Sequence, residues 1–214
     1  MTPVTVLDGS GQRLSPCSEE RARELIASGK ARLVSKAPWV IQLEAIIPLP
    51  HKELPRPDPL CGQRLLLHVC CAPCATFTTR HLGALGALVT GYWYNPNIHP
   101  FSEHQKRLQT LQDFLKRNNI PLIISEGYDV ISYFRAVVGH EHENERCRYC
   151  FRLRLIATAS AAKERGFEAF TTTLLISPYQ NQELLKETGE EIAAKAGLRF
   201  ISEDMRPCYS DSRR

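Results

Sequence analysis

From residue 64 onward, short apolar runs alternate with amphipathic segments, and this alternation constrains the fold more than any other feature of the sequence. Each run is short and continuous, as expected for a strand buried on both faces of a sheet. Strands that alternate with helices of this length form a parallel sheet covered by helices, so we predict an α/β domain. The predicted strands are 65–69, 88–94, 121–124, 169–176 and 198–201, and the predicted helices are 102–118 (capped by Ser102), 150–165 and 181–196.

A proline-rich stretch, IPLPHKELPRPDPLCG, precedes this domain. Proline has no backbone N–H to donate, so its prolines exclude a regular helix or a central strand. We interpret residues 48–63 as a semi-rigid linker between a small α+β unit, residues 1–47, and the larger domain, residues 64–214. In the small unit, Ser18 is the predicted N-cap of a helix that Gly29 ends, and the predicted strands are 4–7, 31–34 and 39–43.

The chain contains eight cysteines, and their meaning depends on the redox compartment. The N-terminus lacks the apolar segment of a signal peptide, and no apolar run approaches the roughly 18 residues of a membrane span. We therefore expect a cytoplasmic protein without a membrane partner, in which clustered cysteines indicate metal, iron–sulfur or redox chemistry. The formal net charge of +4 permits a nucleic-acid partner but does not require one.

Five of the cysteines form two groups at places where chemistry is expected. Cys70, Cys71 and Cys74 follow the first strand of the domain, and ligands of open α/β sheets bind outside the carboxyl ends of strands. Cys147 and Cys150 lie at the start of a helix, where the dipole favours thiolates. Spacing alone leaves open an iron–sulfur centre, a structural zinc site and thiol–disulfide chemistry. An iron–sulfur centre is favoured, because two C-x-x-C pairs around zinc would leave Cys70 unused.

Two further segments each allow two interpretations. The aromatic side chains of residues 92–100, YWYNPNIHP, either stack on unpaired bases of an RNA loop or pack into the core, with His99 capping the next helix. The hydroxyls of residues 171–173 either contact a polar ligand or phosphate or belong to an ordinary strand exit, with Asn181 as the cap of the following helix. We interpret His68, within the first buried strand, as structural.

Taken together, these motifs resemble the cobalamin-independent epoxyqueuosine reductase family (QueH) over residues 64–206. The matching pieces are LLLHVCCAPC, YNPNIHPFSEHQKR, ERCRYCFRLRL, FTTTLLISPYQNQELL and EEIAAKAGLRF. The resemblance implies a Rossmann-like fold similar to the adenine-nucleotide hydrolase superfamily. It also implies an oxidoreductase of tRNA processing, which reduces epoxyqueuosine to queuosine at the wobble position of the anticodon loop in the last step of queuosine biosynthesis.

The resemblance further implies roles for individual residues. Cys70, Cys71, Cys147 and Cys150 correspond to the ligands of a [4Fe–4S] cluster, and Cys74 corresponds to a catalytic position beside it that holds an additional iron. The partners would be tRNA containing epoxyqueuosine and an electron donor that the sequence does not identify. The chain has no GxGxxG motif for a nicotinamide or flavin and no SGGxDS-like loop for ATP, which argues against hydride and ATP chemistry.

Two departures from the family qualify these implications. Family members continue into a Tyr-Cys-Gly-Cys segment, whereas this chain stops shortly after Cys208. We therefore expect either a truncated or frameshifted product, or a domain in which Cys208 or an external reductant replaces that pair. Residues 4–43 resemble an RRXRR-type module, for which RNA docking and a purely structural packing role are both open. The alternative function is a zinc- or cluster-stabilised RNA-binding protein without reductase activity.

Overall fold

The computed structural model of the protein describes residues 4–11, 14, 16–44, 60–142 and 145–212. The chain divides into two compact units, Met1–Glu53 and Leu54–Arg214. Most of the predicted linker, residues 48–59, lies outside the described residues. Within the described ranges, none of the helices is both long enough and apolar enough to cross a membrane.

The first unit is a three-stranded sheet with one helix. Its elements are β1 (Thr5–Leu7), α1 (Glu19–Ala27), β2 (Ala31–Lys36) and β3 (Trp39–Leu43). The central strand β3 pairs in parallel with β1 and antiparallel with β2. Ser18 caps α1 as predicted, since its hydroxyl accepts the backbone N–H of Arg21 at 3.3 Å. A small apolar core forms between the sheet and the helix around Val6, Ala22 and Ile41.

The second unit contains a five-stranded parallel sheet. Its strands are β4 (Arg64–His68), β5 (Leu88–Trp93), β6 (Leu122–Ile124), β7 (Ala169–Thr172) and β8 (Arg199–Phe200). The spatial order is β6-β5-β4-β7-β8, with every neighbouring pair parallel. This is the strand order of a Rossmann fold, in which the topological switch point lies between the first strand and its neighbour on the other side. The predicted α/β class is confirmed.

Helices cover both faces of this sheet. They are α2 (Ala72–Ala84), α3 (Phe101–Arg117), α4 (Val130–Val137), α5 (Glu145–Glu164), α6 (Gln182–Ala196) and the short α7 (Tyr209–Ser212). Successive residues of β4 point to opposite faces, as the pleat requires. Leu66 packs in one buried cluster with Phe151 and Leu155 of α5, and Leu65 packs in the other with Leu111 of α3.

The predicted strand over 169–176 is too long. The chain leaves the sheet after Thr172 and forms a 3₁₀ helix over Thr173–Ile176. The side chain of Thr172 explains the early end, because its hydroxyl accepts the backbone N–H of Leu174 at 3.2 Å and so starts the turn. The apolar residues that extended the predicted strand are buried in the 3₁₀ helix instead.

Two predicted helix starts are also wrong. Pro100, not Ser102, is the N-cap residue of α3. Proline is tolerated at a helix start because a backbone N–H at that position would have no partner within the helix. Helix α5 begins at Glu145, five residues before the predicted start at Cys150, so both C-x-x-C cysteines lie inside its first two turns. The short helix α4 was not predicted; Asp129 caps it by accepting the N–H of Ser132 at 3.3 Å.

Candidate metal centre

The topology of the sheet brings the two cysteine groups to one edge. The loop after β4 carries the first group, and it lies beside the loop after β7 because β4 and β7 are neighbours. In a parallel sheet, a crossover helix runs back from the carboxyl edge, so its N-terminal end lies at that edge. Helix α5 leads into β7 and carries Cys147 and Cys150 at its N-terminal end. Both groups therefore lie at the switch-point edge, where ligands bind in such folds.

Three cysteine sulfurs come together after β4. The Sγ atoms of Cys70, Cys71 and Cys74 all lie within 4.8 Å of one another, and those of Cys70 and Cys71 are 3.8 Å apart. Cys74 is buried in the first turn of α2, while Cys70 and Cys71 are half-buried. Thiolates are soft donors that suit zinc, copper(I) and iron–sulfur clusters, so this three-thiol group is a candidate metal site.

A threonine from the neighbouring loop holds Cys70 in place. The hydroxyl of Thr173 accepts the backbone N–H of Cys70 at 3.1 Å and donates to its Sγ at 3.3 Å. The same hydroxyl thus fixes both the backbone and the sulfur of one residue. Because Thr173 follows β7 and Cys70 follows β4, this contact joins the two loops of the switch point.

His68 supports the same edge from inside the sheet. Its Nε2 lies 3.2 Å from the carbonyl oxygen of Tyr94, which can only accept, so Nε2 carries the proton. Its Nδ1 therefore accepts from the hydroxyl of Thr172 at 2.8 Å. Burial lowers the pKa of His68 to about 3, with the nearby charge of Arg154 acting in the same direction. These contacts agree with the interpretation of His68 as a structural residue.

The hydroxyls of residues 171–173 contact protein groups. Thr171 donates to the carbonyl oxygen of Ile201 at 2.6 Å, and the next two threonines contact His68 and Cys70. Asn181 caps α6, since its side chain accepts the N–H of Leu184 at 3.0 Å. The interpretation of this segment as a strand exit therefore agrees with the structure better than the phosphate-binding one.

The three sulfurs differ strongly in acidity. The pKa of Cys70 lies well below its ordinary value, chiefly because the thiol of Cys71 donates to it, with further contributions from Cys74, Thr173 and the charge of Arg154. The pKa values of Cys71 and Cys74 are raised, because each of these thiols keeps its proton in order to donate to Cys70. Cys70 is thus the first thiolate of the group.

The second cysteine pair lies outside the three-thiol group. Cys147 and Cys150 are both half-buried, and Cys147 packs against the same buried cluster as Cys70 and Cys71. Burial raises the pKa of Tyr133, and the charges of Cys150 and Cys147 raise it further, so this phenol lies beside the pair. The structure thus places all five predicted cysteines at one edge and brings three of them into mutual contact.

A groove opens beside Cys71, between α2 and α3. Its volume is about 340 Å³. Arg107 pairs with Glu103 at 2.6 Å, whereas among the described residues no carboxylate lies within 4.0 Å of the Lys106 ammonium group. The walls therefore carry a net positive charge and suit an anionic ligand. The lining residues are Cys71, Ala72, Pro73, Glu103, Lys106, Arg107 and Thr110.

The aromatic residues of segment 92–100 are partly buried in the core and partly exposed, so each of the two interpretations holds for some of them. Tyr92 and Trp93 are buried in the core. His99 does not cap α3; its exposed ring stacks on Phe134, whose centroid is 4.9 Å away, and Phe134 is 51% exposed. Tyr94 donates to a carboxylate oxygen of Asp129 at 3.0 Å. Exposed rings therefore remain beside the site, while the strand aromatics belong to the core.

One buried residue of the site, Arg154, was missed in the sequence. It is only 5% exposed and lies on the same face of α5 as Phe151 and Cys150. The signal was present, because a charged residue at helical spacing on an apolar stripe is unusual. Lys106 gave no such signal, since basic residues on the exposed face of a helix are ordinary.

Comparison with known proteins gives matches to both units. The family model described as epoxyqueuosine reductase QueH matches residues 65–214, and the RRXRR protein model matches residues 4–53. Both resemblances predicted from the motifs are confirmed. A solved structure described as a predicted subunit of tRNA methyltransferase from Methanocaldococcus jannaschii covers 70% of this chain and 73% of its own, with 12% identity and a TM-score of 0.49. That similarity is too low to support an inference.

Three relatives described as epoxyqueuosine reductase QueH illustrate the similarity. The protein from Dehalococcoides mccartyi is 41% identical over 150 residues, which are 70% of this chain and 81% of that protein. The protein from Streptococcus pyogenes is 36% identical over 150 residues, which are 66% of this chain but 58% of that protein. The protein from Haemophilus influenzae is 34% identical over 185 residues, which are 85% of this chain and 71% of that protein.

Proposed function

Because this chain belongs to the epoxyqueuosine reductase QueH family, we propose that it reduces epoxyqueuosine to queuosine at the wobble position of tRNA. The observation that carries the proposal is the family match over residues 65–214, which contains the three-thiol group and the C-x-x-C pair of α5. The reaction adds two electrons and two protons to the epoxide. The epoxide oxygen leaves as water, and an alkene remains. The protein must therefore bind an RNA loop beside a source of electrons.

We propose that the cysteines hold a [4Fe–4S] cluster. The ligands would be Cys70, Cys71, Cys147 and Cys150, with Cys74 holding an additional iron. The donor set fits, because three soft sulfurs lie within 4.8 Å of one another and the second pair lies at the same edge of the sheet. A bound cluster supplies electrons one at a time. This suits a chain whose sequence has no nicotinamide or flavin motif for hydride transfer.

The residues around the cysteines orient them. The hydroxyl of Thr173 fixes Cys70 by its backbone and its sulfur, and the buried, neutral His68 fixes the adjacent strand end through Thr172. Such hydrogen bonds to ligand residues set the geometry of a metal site and its affinity. Thr172 and Thr173, at the end of β7, thereby fix the loop that carries Cys70.

The RNA would approach along the groove between α2 and α3. Its cationic wall, with Lys106 free of a carboxylate partner in the described part of the chain, suits a backbone phosphate, and Cys71 is one of its lining residues. The exposed stacked rings of His99 and Phe134 offer a platform for an unpaired base. Phosphate contacts position an RNA, while stacking holds the base near the reactive centre.

The remaining parts of the chain take supporting roles in this proposal. The chemistry belongs to residues 64–214, and the linker 48–63 connects them to the RRXRR-like module in residues 1–47. We place the reaction in the cytoplasm, whose reducing conditions keep the cysteines free, with electrons from a separate donor protein or small reductant.

Complementation tests the proposal in cells. The chain is expressed in a bacterial strain that lacks its own epoxyqueuosine reductase, and the nucleosides of its tRNA are identified by mass spectrometry. We expect queuosine to replace epoxyqueuosine with the wild-type chain but not with a Cys147→Ala variant produced in equal amount. Accumulation of epoxyqueuosine alone, with wild-type protein present and folded, would contradict the proposal.

A further inference from the structure

Helix α5 buries a cation that has no carboxylate partner. Arg154 is 5% exposed. Within the described residues, no carboxylate lies within 4.0 Å of its guanidinium, and the one hydrogen bond of that group runs from Nε to the carbonyl oxygen of Cys150, at 3.4 Å. By contrast, Arg152 of the same helix is only half-buried and pairs with Glu191 at 2.7 Å.

An unpaired charge at such depth is unfavourable. The free energy needed to remove a guanidinium from water is far larger than the free energy gained from one long hydrogen bond to a carbonyl. Buried arginines are therefore paired with an anion. The fold keeps Arg154 buried nevertheless, and its position points to an anion close by. The groups able to carry that negative charge are the cysteines at the same edge of the sheet.

The position of Arg154 connects both cysteine groups. It lies four residues after Cys150, one turn further along the same face of α5. Its Nε donates to the carbonyl oxygen of Cys150, and its neighbours Phe151 and Leu155 belong to the buried cluster against which Cys70, Cys71 and Cys147 also pack. The guanidinium therefore lies within electrostatic reach of the three-thiol group and of the second pair.

We infer that Arg154 is the counter-cation of the cysteine-ligated centre, a positioning residue that stabilises its negative charge and raises its midpoint potential. The inference rests on the proposed function, because it needs the cluster to be bound. A thiolate-ligated cluster gains negative charge when it is reduced, so a nearby fixed cation favours the reduced state.

The test compares Arg154→Met, Arg154→Lys and the control Arg152→Met with wild type, all reconstituted without oxygen. Iron and acid-labile sulfide are measured first, and thermal unfolding is followed by circular dichroism to verify folding. The midpoint potential is then obtained by redox titration monitored by electron paramagnetic resonance. We expect a lower potential in Arg154→Met, recovery of most of the shift in Arg154→Lys, and no shift in Arg152→Met.

If Arg154→Met loses the cluster and Arg154→Lys keeps it, the role as counter-cation is supported, because cluster binding then depends on the positive charge. Loss from both folded variants would overturn the inference, since shape and not charge would matter. Equal potentials in all four cluster-containing proteins would overturn it while leaving the proposed function intact. A folded wild-type protein that binds no iron would overturn the proposed cofactor and this inference together.

Discussion

The hydroxyl of Thr173 lies 3.3 Å from the sulfur of Cys70 and at the same time accepts the backbone N–H of that residue at 3.1 Å. The two residues are far apart in the sequence and meet because β4 and β7 are neighbours at the switch point of the sheet. One side chain from the second strand exit therefore fixes the first sulfur of the candidate metal centre. The hydroxyl also stabilises Cys70 as a thiolate.

This contact predicts the effect of removing the Thr173 hydroxyl. Thr173→Val keeps the shape but removes a hydrogen bond to a charged sulfur, worth about 1.5–3 kcal/mol, so the protein should hold iron about tenfold to hundredfold less tightly. Thr173→Ser should retain wild-type binding. The measurement is iron retained against a competing chelator. A Thr171→Val control, whose hydroxyl contacts Ile201 and no cysteine, should leave iron binding unchanged; equal retention by Thr173→Val would contradict the assigned role.

Single cysteine substitutions test whether both groups serve one centre. We expect Cys70→Ser, Cys71→Ser, Cys147→Ser and Cys150→Ser each to lose most of the iron and the visible absorption of the reconstituted protein. Cys61→Ser is the matched control, because Cys61 is exposed and lies before β4, at the opposite end of that strand from the site. Full iron in Cys147→Ser or Cys150→Ser would show that the three-thiol group binds metal without the second pair.

The groove predicts a specific salt dependence of RNA binding. Lys106→Ala should weaken binding of an anticodon stem–loop and reduce the slope of log K against log salt by about 0.7–0.9, the contribution of one phosphate contact. Lys116→Ala makes the same change at the other end of α3, away from the groove, and should leave the slope unchanged. Fluorescence anisotropy at several salt concentrations measures both. Identical slopes for the two variants would exclude the groove as a phosphate site.

Protonation of His104 should destabilise the fold. Trp93 donates its indole N–H to Nε2 of His104 at 3.1 Å, so this nitrogen must stay unprotonated. Burial, and then the proximity of His99, lower the pKa of His104 below its ordinary value of 6.5. Below about pH 6.5 the unfolded chain thus binds a proton that the folded chain does not. The free energy of unfolding therefore decreases as pH falls, by at most about 1.4 kcal/mol per pH unit for this one group.

A His104→Gln variant isolates this contribution. The glutamine oxygen can still accept the indole N–H but does not titrate, so the variant should lose less free energy of unfolding than wild type between pH 6.5 and 5. Urea unfolding followed by tryptophan fluorescence at each pH gives the two slopes. If the slopes coincide, His104 has the same pKa in the folded and unfolded chains, and the prediction is wrong.

The sequence predicts the sheet well and the supporting contacts of the site poorly. Continuous apolar runs such as Leu65–Leu67 require burial on both faces, and this determines the strands, their parallel direction and hence the edge at which the cysteines meet. The contact between Thr173 and Cys70 depends on where β7 stops, which Thr172 decides by capping a 3₁₀ turn. Periodicity cannot reveal that choice, because the buried residues Leu174–Ile176 suit a strand and a 3₁₀ helix equally.

Conversion of the substrate by purified protein is the decisive test of the proposed reductase activity. The protein is reconstituted with iron and sulfide without oxygen, supplied with a chemical reductant and incubated with tRNA containing epoxyqueuosine, and the digested nucleosides are separated by mass. We expect queuosine to appear in step with the loss of epoxyqueuosine, and Cys147→Ala to give none. Wild-type protein that holds a full complement of iron and sulfide, binds the tRNA and yet leaves epoxyqueuosine unchanged would contradict the proposed activity.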